Sequence, residues 1–82
     1  MTDDSPARRR FLKLDDVMEI LNISRAQTYA LVRSGALEGI QIGERNIWRV
    51  EEAKLQEFID EAYRKTAEAI ATGEVDDEPA ED

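Results

Sequence analysis

Ser24-Arg25-Ala26-Gln27 constrains this chain more than any other four residues. A serine followed three positions later by glutamine, ahead of an apolar-periodic segment, is a capping box. The serine hydroxyl and the glutamine amide each satisfy a backbone N–H left unpaired at a helix start. Two residues upstream, Asn22 is suited to the left-handed conformation that closes a helix. A helix must therefore end and another begin within about three residues, a spacing that predicts a helix-turn-helix.

The flanking patterns agree. Leu14, Val17, Met18 and Leu21 fall at i, i+3, i+4 and i+7 on one face of a first helix. Asp15, Asp16 and Glu19 lie near its start, where the helix dipole favours negative charge. The second helix runs from Arg25 to Ser34 and stops at Gly35. At about 100° per residue, Thr28, Leu31 and Val32 face the first helix, and Arg25, Ala26, Tyr29, Ala30 and Arg33 face out. Alanines let a backbone approach a surface, while arginine and tyrosine reach out to it, and a helix that enters a major groove needs both. The competing reading is an ordinary solvated face.

The next segment, LEGIQIGERNIWRV, predicts a β-hairpin. Ile40 and Ile42 alternate with Gln41, Trp48 and Val50 alternate with Arg49, and the turn formers Gly43 to Asn46 lie between them. A hairpin after a helix-turn-helix is a wing, with Arg45 and Asn46 at its tip against the DNA backbone or minor groove. Trp48 reads as a core anchor. Arg49 points to a phosphate or to an ion pair with a third-helix carboxylate such as Glu52, and Ile47 has no core role in the pattern. Glu51 and Glu52 open the third helix, with Leu55, Phe58, Ile59 and Ala62 on its buried stripe, a weaker continuation through Thr66, Ala69 and Ile70, and a stop at Gly73.

Charge divides the 82 residues unevenly. The formal net charge is −8, yet residues 8–50 carry eight basic and five acidic side chains, a local +3, and seven of the eight are arginine. Residues 51–82 carry three basic and twelve acidic side chains, a local −9. Arginine's planar fork of donors suits phosphates and guanine edges. Arg8, Arg9 and Arg10 belong to a flexible basic arm over residues 1–10, which either follows phosphates or enters the minor groove, or simply solubilises the terminus. Residues 11–72 form the domain. Residues 73–82, with Pro79 and a run of acids, read as a disordered acidic tail. With no cysteine and no histidine, the chain lacks thiolate metal sites, disulfides and the commonest general base. No enzyme activity, metal or cofactor is expected. No apolar run nears the ~20 residues of a membrane helix, and the N-terminus lacks a signal peptide's apolar stretch. Cytoplasmic, nucleoid-associated localisation is expected.

Over roughly residues 11–60 the sequence resembles the excisionase-like branch of the MerR-type winged helix-turn-helix DNA-binding domains. The resemblance lies in Asp15–Asp16, Asn22, Ser24–Arg25, Tyr29–Leu31–Val32, Gly35, Gly43, Arg45, Trp48 and Arg49 taken in order. Ala30 stands where arginine is frequent, Thr28 where valine is frequent, and Lys13 at the usual serine or threonine cap. The resemblance implies a mainly α winged helix-turn-helix with a small β-hairpin, acting as a transcription regulator or an architectural factor in recombination. It implies DNA contacts by Arg25, Tyr29, Arg33, Arg45 and Arg49. Gln27, Asn46 and the arm arginines complete the expected contact set. Few basic contacts imply weak monomeric binding, so a second copy is expected, paired two-fold or head-to-tail, with residues 62–70 as the extra contact surface. The rival is an acidic adaptor that docks on a basic protein through residues 51–71 and the tail. The tail could also mimic DNA and screen the basic face.

Overall fold

The computed structural model describes residues 9–74. Elements follow in the order β1 (Phe11–Leu12), α1 (Leu14–Leu21), α2 (Arg25–Ser34), β2 (Ile40–Ile42), β3 (Ile47–Glu51) and α3 (Glu52–Thr72). The helix boundaries follow from their caps. In α1 the Asp16 carboxylate accepts the Lys13 N–H at 3.1 Å. Lysine has no acceptor to return, so only half of a capping box forms there. Asn22 closes α1 at φ 58°, ψ 51°. At α2 both halves of the predicted box are present: Gln27 N–H to Ser24 Oγ and Ser24 N–H to Gln27 Oε1, each 3.1 Å. Gly35 and Gly73 end α2 and α3 with positive φ.

The core comprises Leu12, Leu14, Val17, Val32, Leu37, Val50 and Leu55, with Leu21, Leu31, Phe58 and Ile59 packed at its edge. Thr28 is its one buried polar side chain among the described residues. Its hydroxyl donates to the Ser24 carbonyl at 2.9 Å, so nothing polar is stranded against α1. Leu37 was absent from the expected stripes yet is fully buried. Its N–H returns to the Leu31 carbonyl at 3.1 Å, which folds the α2–β2 link under the core.

The expected hairpin is present, and a third strand joins it. The sheet order is β1-β3-β2, all antiparallel. Phe11 pairs with Glu51 and Leu12 with Val50. Ile40 pairs with Arg49, Gln41 with Trp48, and Ile42 with Ile47. Alternation then assigns two faces. Leu12, Val50 and Trp48 face the helices. Phe11, Ile40, Ile42 and Ile47 lie on the outer face with Arg49 and Glu51, and the four apolar residues are 42–47% exposed. At residues 9 and 10 the chain is already attached to this sheet. The Arg10 carbonyl accepts the Glu52 N–H at 2.8 Å, and Arg9 pairs with Glu51 at 3.4 Å. The rest of the expected arm, Arg8 included, and the tail beyond Glu74 lie outside the described residues.

Candidate nucleic-acid interface

The N-terminal end of α2 and the hairpin are brought together by β1. Because β1 pairs with β3, the chain that continues through Lys13 into α1 runs alongside Arg49 and Trp48. The α1–α2 turn then sets Arg25 beside the same strand. The result is a concavity of about 350 Å³ lined by Lys13, Leu14, Asp15, Arg25 and Tyr29 on one side and Arg45, Asn46, Ile47, Trp48 and Arg49 on the other. Side chains twenty residues apart in sequence thus meet in one open groove.

Within it, Arg25 Nη2 lies 3.2 Å from Asp15 Oδ1, so its ion-pair carboxylate comes from α1. Tyr29, expected on the outward face of α2, is half-buried and packs against the core. Its ring forms part of the groove wall, across from the wing. Arg33 does not line the groove. Its guanidinium lies 5.1 Å from the centre of the Tyr29 ring, a cation–π contact that extends the basic surface along α2. The Gln27 side chain places its oxygen in the α2 cap.

The wing tip is a tight loop in which Gly43 has φ 80° and Asn46 φ 52°. Asn46 N–H reaches the Gly43 carbonyl at 3.1 Å, and the Asn46 carbonyl accepts from Gln41 Nε2 at 3.3 Å. Arg45 projects from this loop and is exposed, with no ion-pair partner among the described residues. Arg49 is half-buried, and its Nη1 donates to the Trp48 carbonyl at 2.7 Å. The ion pair of Arg49 with Glu52 is not formed. Trp48 packs on the core as expected, with its ring against Gly39, where an added Cβ would meet ring atoms at 3.3 Å. Two charged groove residues escaped the list of contacts drawn from sequence. Lys13 and Asp15 sit at the β1–α1 junction, and only pairing with β3 carries them to the wing. The one local signal was a lysine standing at a helix cap.

The other side of the molecule has a different electrostatic character. Lys54 bridges Glu38 at 3.2 Å and Glu57 at 3.8 Å. Its hydrogen bond to Glu38 holds the ammonium pKa above the usual lysine range. Arg64 pairs with Glu61 and with Glu68 at 3.6 Å, and hydrogen bonding to Arg64 lowers the Glu61 carboxyl. Both cations are thus engaged by acids, most of them on α3, while Arg45 on the groove has no such partner. Among the described residues no cluster of acids could hold a metal ion, and no helix is long and apolar enough to cross a membrane.

Comparison with known proteins follows the same outline. A helix-turn-helix domain family model matches residues 11–63, from β1 into α3. No curated protein and no solved structure matches. With that model covering well over half of its length and a winged fold around it, the chain belongs to the helix-turn-helix domain family of DNA-binding proteins.

Proposed function

We propose that this chain is a sequence-specific duplex DNA-binding protein of the excisionase-like, MerR-type branch, a small transcription regulator or an architectural recombination factor. The observation that carries the reading is the groove itself. It gathers Arg25, Tyr29, Arg45, Asn46 and Arg49 between the head of α2 and the wing. In this reading residues 25–34 enter the major groove head first, as recognition helices do. Residues 43–49 lie on the adjacent backbone or minor groove, where arginines neutralise phosphates without reading sequence. Arg33 and the arm residues Arg8, Arg9 and Arg10 add further phosphate contacts. Arg9 must leave Glu51 to do so, and because the Glu51 side chain is only 19% exposed, that exchange leaves a largely buried carboxylate unpaired and carries a cost.

A monomer with so few cations binds weakly, so we assign affinity to paired copies. The end of α3 offers a surface for this. Tyr63, Ala67 and Ile70 lie on one helix face at i, i+4 and i+7, with Tyr63 75% and Ile70 61% exposed. The acidic adaptor remains the second reading, favoured by the same exposed stripe among carboxylates. Selection from a randomised duplex pool, followed by mobility shifts at two salt concentrations, separates the two. The DNA reading expects an enriched motif and affinity that falls steeply with salt. Recovery of no motif, with no shift at 50 mM salt, favours the adaptor.

A further inference from the structure

We infer that Asp15 is a specificity-determining residue that restrains Arg25 from nonspecific phosphate contact; the inference rests on the DNA reading above. Beyond its charge in the first turn of α1, Asp15 is not needed for the helix cap. The neighbouring Asp16 supplies the α1 cap hydrogen bond, and the Asp15 carboxylate has no partner among the described residues except Arg25, at 3.2 Å. Both side chains stay about two-thirds exposed, 62% for Arg25 and 67% for Asp15. Such a pair adds little to stability. Its position carries the argument. Both residues line the groove between α2 and the wing, so a fixed negative charge sits where a polyanion would lie.

That charge discriminates between the two ligands Arg25 can take. A phosphate oxygen competes with Asp15 for the same fork and meets its charge at close range. A guanine edge presents the neutral acceptors O6 and N7. Arginine has five N–H donors, so Nη2 can stay on Asp15 while the other donors reach a base. The carboxylate therefore penalises backbone contact and tolerates base contact. It also draws the guanidinium toward α1, across the turn. The consequence is a higher ratio of specific to random binding, obtained by weakening the random term.

The test is Asp15→Asn, which keeps the shape and removes the charge, with Asp15→Ser as a second variant suited to a first helical turn. Affinity for a random duplex and for the selected site is measured at 50 and 200 mM salt in the wild-type and Arg25→Ala backgrounds, after melting curves show both variants folded. Freeing Arg25 for one phosphate steepens the random-DNA salt slope by about 0.9. The expected result is random binding tightened by about three- to tenfold at 50 mM, a smaller gain at the selected site, and loss of most of that gain in the Arg25→Ala background. Unchanged random affinity and slope overturn the inference while leaving DNA binding intact. A gain of equal size without Arg25 also overturns it, because it assigns the effect to net charge. Absence of DNA binding by the wild type and every variant overturns the DNA reading, and this inference with it.

Discussion

Neutralising the wing by Arg45→Ala with Arg49→Ala gives the most direct test of how the groove meets DNA. Arg45 is exposed at the loop tip, and Arg49 stands four residues on along the same edge of the groove. If each neutralises one phosphate, the slope of log K against log salt falls by about 1.8, at about 0.9 per contact. Over the fourfold change from 50 to 200 mM, that slope difference is a factor of about 12. The double variant should therefore lose far more affinity at the lower concentration. The loss should be uniform across sequences, since phosphate contacts carry no sequence information. The two sites differ in risk. Arg45 has no hydrogen bond to the fold, so Arg45→Ala alone should halve the slope effect with melting unchanged. Arg49 donates to the Trp48 carbonyl, so its removal can loosen β3. The sole tryptophan, packed at the core edge, reports any such loosening by fluorescence. Fluorescence titration or mobility shift at four salt concentrations makes the measurement. A double variant with the wild-type slope and an altered sequence preference would refute the assignment of the wing to the backbone.

Three further substitutions test the scaffold and the reading helix. Arg25→Ala should leave melting nearly unchanged, because its ion pair is exposed, and should cost at least tenfold in specific binding, about 1.4 kcal/mol. A single relaxed base position in the selected motif marks base readout, and uniform loss marks a phosphate clamp. Ser24→Ala removes the Oγ that accepts the Gln27 N–H; it should cost about 1 kcal/mol and lower Tm by roughly 4–8 °C in a domain this small, which calorimetry reads. Leu37→Ala empties a fully buried site and should cost about 2–5 kcal/mol, enough to leave much of the population unfolded by circular dichroism at 37 °C if total stability is near the low end for small domains.

Helix boundaries were legible because each is set by one or two residues acting locally. Asn22, Ser24 with Gln27, Gly35 and Gly73 mark four of the six helix ends within a residue or two of their place. What stayed hidden depends on contacts distant in sequence. Strand β1 is two residues long, too short to show alternation, and exists only because residues 50 and 51 pair with it. Leu37 lies in an irregular link with no period to mark it as core. Tyr29 reads as exposed on a helical wheel, yet it packs at the core edge and lines the groove, because a wheel shows only the helix and not what packs beside it. The Asp15–Arg25 pair spans the α1–α2 turn, so sequence gave each residue a separate reason, a helix dipole and an external partner. The groove arginines were legible as types. Their convergence with Lys13 and Asp15 follows from the β1–β3 pairing.

A protein of net charge −8 that binds a polyanion carries two opposed fields, and ionic strength decides how far each reaches. The groove cations act at contact, where displacing counterions from phosphates makes binding weaker as salt rises. The acids on α3 act at a distance. The helix is about 30 Å long at 1.5 Å per residue over its 21 residues, so its far carboxylates are beyond the ~10 Å Debye length at 0.1 M but within the ~30 Å reached at 0.01 M. Repulsion should therefore grow as salt falls, opposing the gain from counterion release, and a plot of log K against log salt should flatten below about 0.03 M. Deleting residues 74–82 removes Glu74, Asp76, Asp77, Glu78, Glu81 and Asp82, a change of +6. The deleted stretch has no apolar stripe in its sequence, and among the described residues it supplies one capping hydrogen bond, from the Glu74 N–H to the Ala69 carbonyl, so melting should change little. The truncated chain should bind random duplex more tightly at 0.01 M, show a straighter salt plot, and converge on the full chain near 0.15 M. Equal affinities at 0.01 M would show that the acids beyond α3 do not reach the groove, and would remove any screening or DNA-mimicking role for them.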